Sequence, residues 1–325
     1  MTHDGCLKDT AIVIVTYDSA HEIGGCLEAA LRTGAEILVI DNGSRDGTAD
    51  VVRRFPVRLI ENRENRGFAG AVNQGVKATT ADYILLLNPD AVLLTGIGPL
   101  REACGQPGMG AAAGLLTDSA GIPQAGFTVR RLPTPVALSL EVLGLNRLFP
   151  SNPVNWRFRC LDCNLSGTAP VRVEQPAGAL FLFRRECWEV LGGFDERFHP
   201  LWFEDVDFCA RLRLSGKGVL LVPEVVAEHA GAHSILNMAL EIRHLNWYGN
   251  LLRYAAKHFA RSGRNLVCLS VFFGAILRLL WTFLGMNQGI RGGSVWVAVA
   301  RLAARCFFGR PGWDGQRIVG APAIK

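Results

Sequence analysis

The first ninety residues alternate between two periods, and that alternation restricts the fold more than any other feature of the chain. Ala11-Ile-Val-Ile-Val-Thr-Tyr17 is short, β-branched and apolar almost to its end. A strand with one wet face would alternate polar and apolar residues, so this run belongs in a sheet covered on both faces. A segment of helical period over residues 20–32 follows, then a second apolar run, Glu36-Ile-Leu-Val-Ile-Asp41. The polar turn Asn42-Gly-Ser-Arg-Asp-Gly47 leads into a helix over residues 48–55. A third strand is predicted over 57–61, a helix over 68–78, and a fourth strand at Tyr83-Ile-Leu-Leu-Leu-Asn88. This β-α-β-α-β-α-β order predicts an α/β fold with a mostly parallel sheet and right-handed crossovers.

Ligands of such sheets collect at the carboxyl ends of the strands. Strand order alone therefore brings Thr16, Tyr17, Asp41 and Asp90 to one rim. No G-x-G-x-x-G follows the first strand, where the chain reads Asp18-Ser19-Ala20, and no Walker A loop is present. Dinucleotide and P-loop chemistry are thus poorly supported.

Asn88-Pro-Asp90 has the composition of an ordinary turn. Its place on the rim also suits a carboxylate ligand for a hard divalent cation, which needs few protein oxygens when it bridges a diphosphate. Phe203-Glu-Asp-Val-Asp207 puts three carboxylates at a predicted helix start over residues 204–215. Acids there complement the helix dipole. The flanking Trp202, Phe203 and Phe208 also give these carboxylates an apolar setting, in which a raised pKa and general-base work are expected. His229, in Glu228-His-Ala-Gly231, is by itself as well explained by structure as by ligation.

From residue 105 to 172 the pattern loosens, apart from a helix predicted over 135–145. Extended structure is predicted over 171–183, and short strands over 218–222 and 225–228. Helical period returns from residue 235. Residues 147–163 resist assignment, and the lone Cys160-Leu-Asp-Cys163 lacks the second pair a zinc site needs. Nine scattered cysteines and no visible signal peptide point to a reducing, cytoplasmic setting.

Charge divides the chain. Residues 1–241 hold 22 Lys and Arg against 28 Asp and Glu, a net of −6; residues 242–325 hold 12 against one acid, a net of +11. Nucleic acid would suit that positive charge, but the long apolar runs between the charges fit a membrane surface better. Residues 266–286 are long enough to span a bilayer. Arg278 in their middle favours interfacial attachment over a span. A helical homodimer surface is the other reading. Two domains are expected, a catalytic one over 1–235 and a helical, basic, apolar, membrane-associating one over 236–325.

Taken together, Val13-Ile-Val-Thr-Tyr17, Val39-Ile-Asp-Asn-Gly-Ser44, Asn62-Arg-Glu-Asn-Arg-Gly-Phe-Ala-Gly70, Leu87-Asn-Pro-Asp-Ala91, Arg147-Leu-Phe-Pro150, Gly192-Gly-Phe-Asp-Glu-Arg-Phe198 and Phe203-Glu-Asp-Val-Asp207 carry a resemblance. The chain resembles family 2 of the inverting glycosyltransferases, with the GT-A fold, and within it the rhamnosyltransferase-like subgroup that extends polyprenyl-diphosphate-linked glycans. The resemblance covers residues 10–235. It implies a nucleotide-sugar donor with a dTDP or UDP base and a glycan or lipid-linked acceptor in cell-wall polysaccharide synthesis. Thr16, Tyr17, Asp41, Asn73, Asn88 and Asp90 would form the donor site. Asp90, with His229, would meet Mg²⁺ or Mn²⁺. Asp205 would be the general base, with Glu204 and Asp207 shaping acceptor and base. Asn88 stands where the family motif Asp-x-Asp has its first Asp, which puts metal dependence in question. The competing readings are a nucleotidyltransferase, for which the Gly-rich basic loop is missing, and a non-catalytic glycan-binding or scaffold protein.

Overall fold

The run predicted as the first strand forms β1 (Thr10–Thr16), with Ile12 and Ile14 buried on one face and Ala11 and Val13 on the other. A computed structural model of the chain describes residues 7–163, 167–231, 238–284 and 293–309. After β1 come α1 (Ile23–Leu31), β2 (Glu36–Asp41), α2 (Thr48–Val52), β3 (Arg58–Glu61), α3 (Phe68–Lys77), β4 (Tyr83–Leu87), β5 (Ala91–Leu93) and α4 (Gly98–Gly105). Then follow β6 (Met109–Thr117), β7 (Val129–Arg130), α5 (Pro135–Val142), α6 (Leu145–Leu148), α7 (Pro153–Phe158), β8 (Val171–Val173), β9 (Gln175–Pro176) and β10 (Leu180–Arg184). The last elements are α8 (Arg185–Leu191), α9 (Glu204–Leu214), β11 (Gly218–His229), α10 (Leu240–His258), α11 (Arg261–Phe283) and α12 (Ser294–Phe307).

The main sheet runs β3-β2-β1-β4-β10-β6-β11-β5, with β8 paired to β11. Strands β3, β2, β1 and β4 are parallel, as their crossover helices require. The sheet departs from a simple parallel series at β10, which is antiparallel to β4 and to β6. Ile23, Leu27, Ile97 and Leu100 of α1, α4 and the segment before α4 cover one face. Val72 and Val76 of α3, Trp188 of α8 and Phe208 of α9 cover the other.

Two sequence expectations change. The segment that seemed to lose pattern contains β6, buried at every position. Its sequence, Met109-Gly-Ala-Ala-Ala-Gly-Leu-Leu-Thr117, lacks β-branched residues before Thr117, so local propensity conceals it. The crowding explains the composition: a Cβ on Gly114 would lie 2.3 Å from Leu180 Cδ2 and 2.6 Å from the Val225 carbonyl oxygen. The two short strands expected over 218–228 are one strand, β11, whose register against β6 shifts between Val222 and Val226. Pro223 lies within that shift, where a missing N–H is tolerated.

The chain divides into two compact units. The first comprises residues 1–132, 156–195 and 204–237 and contains the sheet. The second comprises 133–155, 196–203 and 238–325. In the second unit α11 packs against α5, α10 and α12. Phe203 lies 5.6 Å from Tyr254 and 6.2 Å from Trp247, ring to ring. The residues flanking position 235, where the sequence suggested a domain boundary, and Met286 lie outside the described residues. The described cysteines, Cys160 and Cys163 included, are free thiols.

Candidate active site

The carboxyl ends of β1 and β2 are stitched together before any ligand is considered. Asp41, buried at the end of β2, accepts from Thr16 Oγ1 at 2.9 Å, from the Ser44 amide at 3.1 Å and from Ser44 Oγ at 2.5 Å. The loops beyond the strands are bound in the same way. The Asp18 amide donates to Ser44 Oγ (2.9 Å), the Arg45 amide to Asp18 Oδ1 (2.8 Å), the Ser19 amide to Thr48 Oγ1 (2.8 Å) and the Ala20 amide to Asp46 Oδ2 (2.9 Å). Tyr17 projects from this rim as an exposed ring. Asn42 Nδ2 donates to Asn65 Oδ1 (2.9 Å) and to the Gly67 carbonyl (3.2 Å), which ties in the loop before α3. Gly43 sits at the closest approach: its φ is +85°, and a Cβ there would lie 3.2 Å from the Glu64 backbone. Only glycine takes up that conformation and that space without strain.

Asn73 is placed differently from the other predicted donor residues. It is buried on α3, where its Oδ1 accepts from Trp188 Nε1 (3.0 Å) and the Phe194 amide (2.9 Å) and its Nδ2 donates to the Phe194 carbonyl (2.8 Å). Both polar ends of the amide hold the chain after α8. The side chain is therefore engaged in positioning that segment.

At the end of β4, the Asn88 amide donates to the Ala179 carbonyl (3.0 Å). The Asp90 side chain turns towards the end of β11, with Oδ2 accepting from the Gly231 amide (3.1 Å) and Oδ1 lying 3.5 Å from His229 Nε2. Asn88 Nδ2 is 3.4 Å from the same nitrogen. His229 is buried, and Phe127 stacks on its ring at 5.2 Å and 13°.

Gln124, which no sequence pattern had singled out, settles the imidazole's orientation. Its Nε2 donates to the His229 carbonyl (2.8 Å), and its Oε1 lies 3.2 Å from His229 Nδ1. A backbone carbonyl only accepts, so the amide nitrogen must lie on that side and the amide oxygen must face Nδ1. Nδ1 then carries the proton, and the Nε2 lone pair points to the Asp90 carboxylate and Asn88. Burial lowers the His229 pKa, against the opposing pull of Asp90, which favours the neutral ring. A carboxylate oxygen and an imidazole nitrogen directed at one point fit a divalent cation such as Mg²⁺ or Mn²⁺. The proton donated to an amide oxygen is the outer support that ligating histidines commonly have. Among the described residues no group of three or more His, Cys, Asp and Glu side chains converges as a metal cage. A cation held here would keep most of its positions for other ligands.

The acidic cluster opens α9. Trp202 and Phe203, immediately before it, both have positive φ, 76° and 73°. Bulky residues rarely adopt this conformation, and such strain concentrates at functional sites. Asp205 accepts from the Gly178 amide (3.2 Å, Oδ2) and from its neighbour Val206 (2.7 Å, Oδ1). Burial raises its pKa, while these two amides and the Arg130 guanidinium pull it back. Glu204 is buried, its Oε2 has no hydrogen-bond partner among the described residues, and its carboxyl is held well above the usual range by burial and by the Asp205 charge.

Asp207 has a different task. It is fully buried and paired with Arg211 at 2.8 Å, and Arg211 donates on to the carbonyls of Leu191 and Gly193 (both 2.8 Å). This pair joins α9 to the end of α8. Phe208 fixes the rotation of α9. Its ring lies 4.5 Å from Phe194 in a stacked pair, 5.3 Å from Phe183 and 6.2 Å from Phe181. Each such pair is worth about 0.5–1.5 kcal/mol beyond its burial.

Comparison with known proteins gives a consistent picture. The chain matches the model of glycosyl transferase family 2 over residues 11–118 and that of glycosyltransferase-like family 2 over residues 161–250. It is 32% identical over 247 residues to the N-acetylglucosaminyl-diphospho-decaprenol L-rhamnosyltransferase of Mycobacterium tuberculosis, an alignment covering 69% of this chain and 76% of that protein. Over 94 residues it is 36% identical to the poly-beta-1,6-N-acetyl-D-glucosamine synthase of Staphylococcus aureus, covering 27% of this chain and 23% of that one. Among solved structures it is similar to a mannosyltransferase from Pyrobaculum calidifontis in complex with GDP-Man and Mn²⁺. That match has a TM-score of 0.52 at 17% identity and covers 93% of this chain and 88% of the other. It is also similar to GalNAc-T7 with UDP, GalNAc and Mn²⁺, with a TM-score of 0.53 at 15% identity, covering 78% and 51%. At these identities the two structures share its fold.

Proposed function

This chain belongs to glycosyl transferase family 2 and is a glycosyltransferase of rhamnosyltransferase type, and we propose that it transfers L-rhamnose from dTDP-rhamnose to a polyprenyl-diphosphate-linked glycan. The reaction serves cell-wall polysaccharide synthesis, at the cytoplasmic face of the membrane. The name of the mycobacterial relative supports the sugar and the class of acceptor.

The observation that carries the reading is the adjacency of two sets of groups. Asn88, beside Asp90, and Asp205 are bound to the successive residues Ala179 and Gly178. Thr16, Tyr17 and Asp41 would hold the nucleoside in the rim their mutual bonds have already fixed. Asp90 and His229 would hold a divalent cation against the donor diphosphate, with Asn88 beside them. When bound, such a cation offsets the negative charge that develops on the leaving phosphate.

Asp205 would accept the proton of the acceptor hydroxyl as its oxygen attacks the anomeric carbon from the face opposite the departing nucleoside diphosphate. A single displacement inverts that carbon, and no covalent nucleophile is required. Burial makes Asp205 a stronger base than an exposed aspartate. Glu204 adjoins it, and burial and the Asp205 charge favour its protonated form. Asp207 and Asn73 serve the placement of α9 and of the chain after α8.

The test has two arms. A thermal-shift series with dTDP, UDP and GDP, each with Mn²⁺, should show stabilisation by dTDP or UDP through mass action on the folded state. Incubation with dTDP-rhamnose and a polyprenyl-diphosphate-linked acceptor should release dTDP. A thermal response to dTDP without transfer would leave the donor site standing and reject the acceptor. Silence towards every nucleotide would reject the reading as a whole.

A further inference from the structure

Helix α11 is inside out for a helix in water. Leu266, Leu269, Phe273, Leu277, Leu280 and Trp281 recur every three or four residues on one face and are each 43–58% exposed. The buried face carries Cys268, Ser270, Gly274 and Ala275 beside Val267 and Val271. Its small residues let neighbouring backbone approach: a Cβ on Gly274 would lie 2.8 Å from the Val142 carbonyl oxygen of α5. The charge in the middle of this apolar helix also turns inward. Arg278 donates to the carbonyls of Val142 (2.8 Å) and Gly274 (3.0 Å), and its guanidinium lies 5.5 Å from the Trp296 ring centroid on α12. The outward stripe is therefore wholly apolar over about 22 Å, taking the ordinary helical rise. A helix facing water shows the reverse distribution.

We propose that this stripe is a lipid-docking face, which lies along the surface of an anionic membrane with α11 parallel to the bilayer plane. Charge selects this occupant. Residues 242–313 contain ten Lys and Arg and no acid. Lys257 and Arg261 stand exposed beside the start of α11, and Arg301 and Arg305 stand exposed on α12. Anionic headgroups complement these charges. A second copy would bring them against their own equivalents across a two-fold axis.

The neighbours of α11 select the in-plane orientation. Among the described residues, α11 is the one helix with the length and apolar content to cross a bilayer. It is packed along one side against α12, whose 14 residues rise about 21 Å, short of the ~30 Å hydrocarbon layer. Crossing would either strip α11 from these partners or draw the arginines of α12 into hydrocarbon. The inference is independent of the sugar transferred, and its test uses neither donor nor acceptor.

The full chain is floated with vesicles of phosphatidylcholine alone and of phosphatidylcholine mixed with phosphatidylglycerol. It should rise with the anionic vesicles and much less with the neutral ones. Phe273→Ser combined with Leu277→Ser should weaken binding at least roughly tenfold, given the transfer energy of two such side chains. Val190→Ser with Leu214→Ser, at still more exposed apolar positions of α8 and α9, should leave it unchanged. The fluorescence gained on Phe273→Trp, near the middle of α11, should be quenched more by bromine near the headgroup end of the lipid chains than by bromine near the chain ends. Failure to float, or equal flotation of the stripe variant, overturns the proposal. Stronger quenching from the chain ends overturns the in-plane orientation in favour of a span. A dimer that the stripe variant breaks while flotation is retained assigns the face to a second copy instead.

Discussion

Asn88 and Asp205 are bonded to neighbouring residues of one short segment: the Asn88 amide donates to the Ala179 carbonyl at 3.0 Å, and the Gly178 amide donates to the Asp205 carboxylate at 3.2 Å. The end of β4 and the start of α9, 117 positions apart in these two residues, are thereby held on either side of a single peptide. The donor and acceptor halves of the proposed reaction share that support.

If Asp205 accepts the proton, Asp205→Asn should lower kcat by about 10²–10⁴-fold. The nucleotide-induced thermal shift should survive, because the donor rim does not use this carboxylate. Steady-state kinetics and thermal melts on the same preparation check both parts. An active Asn variant would remove Asp205 from the mechanism.

Glu204→Gln should change how stability depends on pH. The folded-state pKa of Glu204 lies well above its ordinary 4.5, with burial as the first cause and the Asp205 charge as the next. A raised pKa means the folded state binds the proton more tightly. That contribution is complete below pH 4.5 and disappears as pH rises through the folded value. The Gln variant has no such loss. Denaturant unfolding across pH should show the two proteins converging at acid pH, with the variant the more stable at neutral pH. Parallel curves would mean that Glu204 ionises in the fold as readily as outside it.

Gln124→Leu should remove the partner that keeps the proton on His229 Nδ1. Loss of an outer support of this kind commonly weakens metal binding by about 10–100-fold. Titration of Mn²⁺ into the protein with dTDP, followed by the paramagnetic signal of the free ion, measures it directly. The far-ultraviolet spectrum should not change. Unaltered affinity would show that Asp90 and the packing of Phe127 suffice to orient the ring.

Arg211→Met should destabilise the protein by about 3–5 kcal/mol, because it strands the fully buried Asp207 charge. Adding Asp207→Leu to the same chain should recover much of the loss. If Asp207 served the acceptor, the double variant would be stable but would show a raised acceptor KM. A role confined to structure predicts that activity returns with stability.

The parallel half of the sheet was legible because local and global preferences agree there. Buried parallel strands need uniform apolar runs, and β1, β2 and β4 have them. β6 was illegible for the opposite reason, since its place between β10 and β11 selects small residues that carry no strand signal. The carboxylates could be read as chemical groups from the residues, whereas only the family resemblance singled out Asp205 as the base. Asp205 and Asp207 are alike in spacing, and the structure separates them by their partners: Asp207 is fully buried against Arg211 one helical turn on, while Asp205 accepts from the Gly178 amide. Asn73 reads as a polar residue available to a ligand, yet its amide is occupied by a segment 121 residues away. Gln124 had no signal at all, because its meaning lies in a histidine 105 residues further along the chain.

The reversal of β10 has a consequence for how such a chain can diversify. Strands β1, β2 and β4, parallel to one another, present their carboxyl ends to the rim. β10 presents its beginning. The stretch between Thr117 and Gly178 is therefore a long excursion fixed at both ends and pinned within by Gln124 on His229, by α5 on α11 and by β8 on β11, so changes of length are confined to the loops between those points. Insertions in those loops would leave β1, β2 and β4 unmoved, so the fold can change on one side while inheriting the other intact.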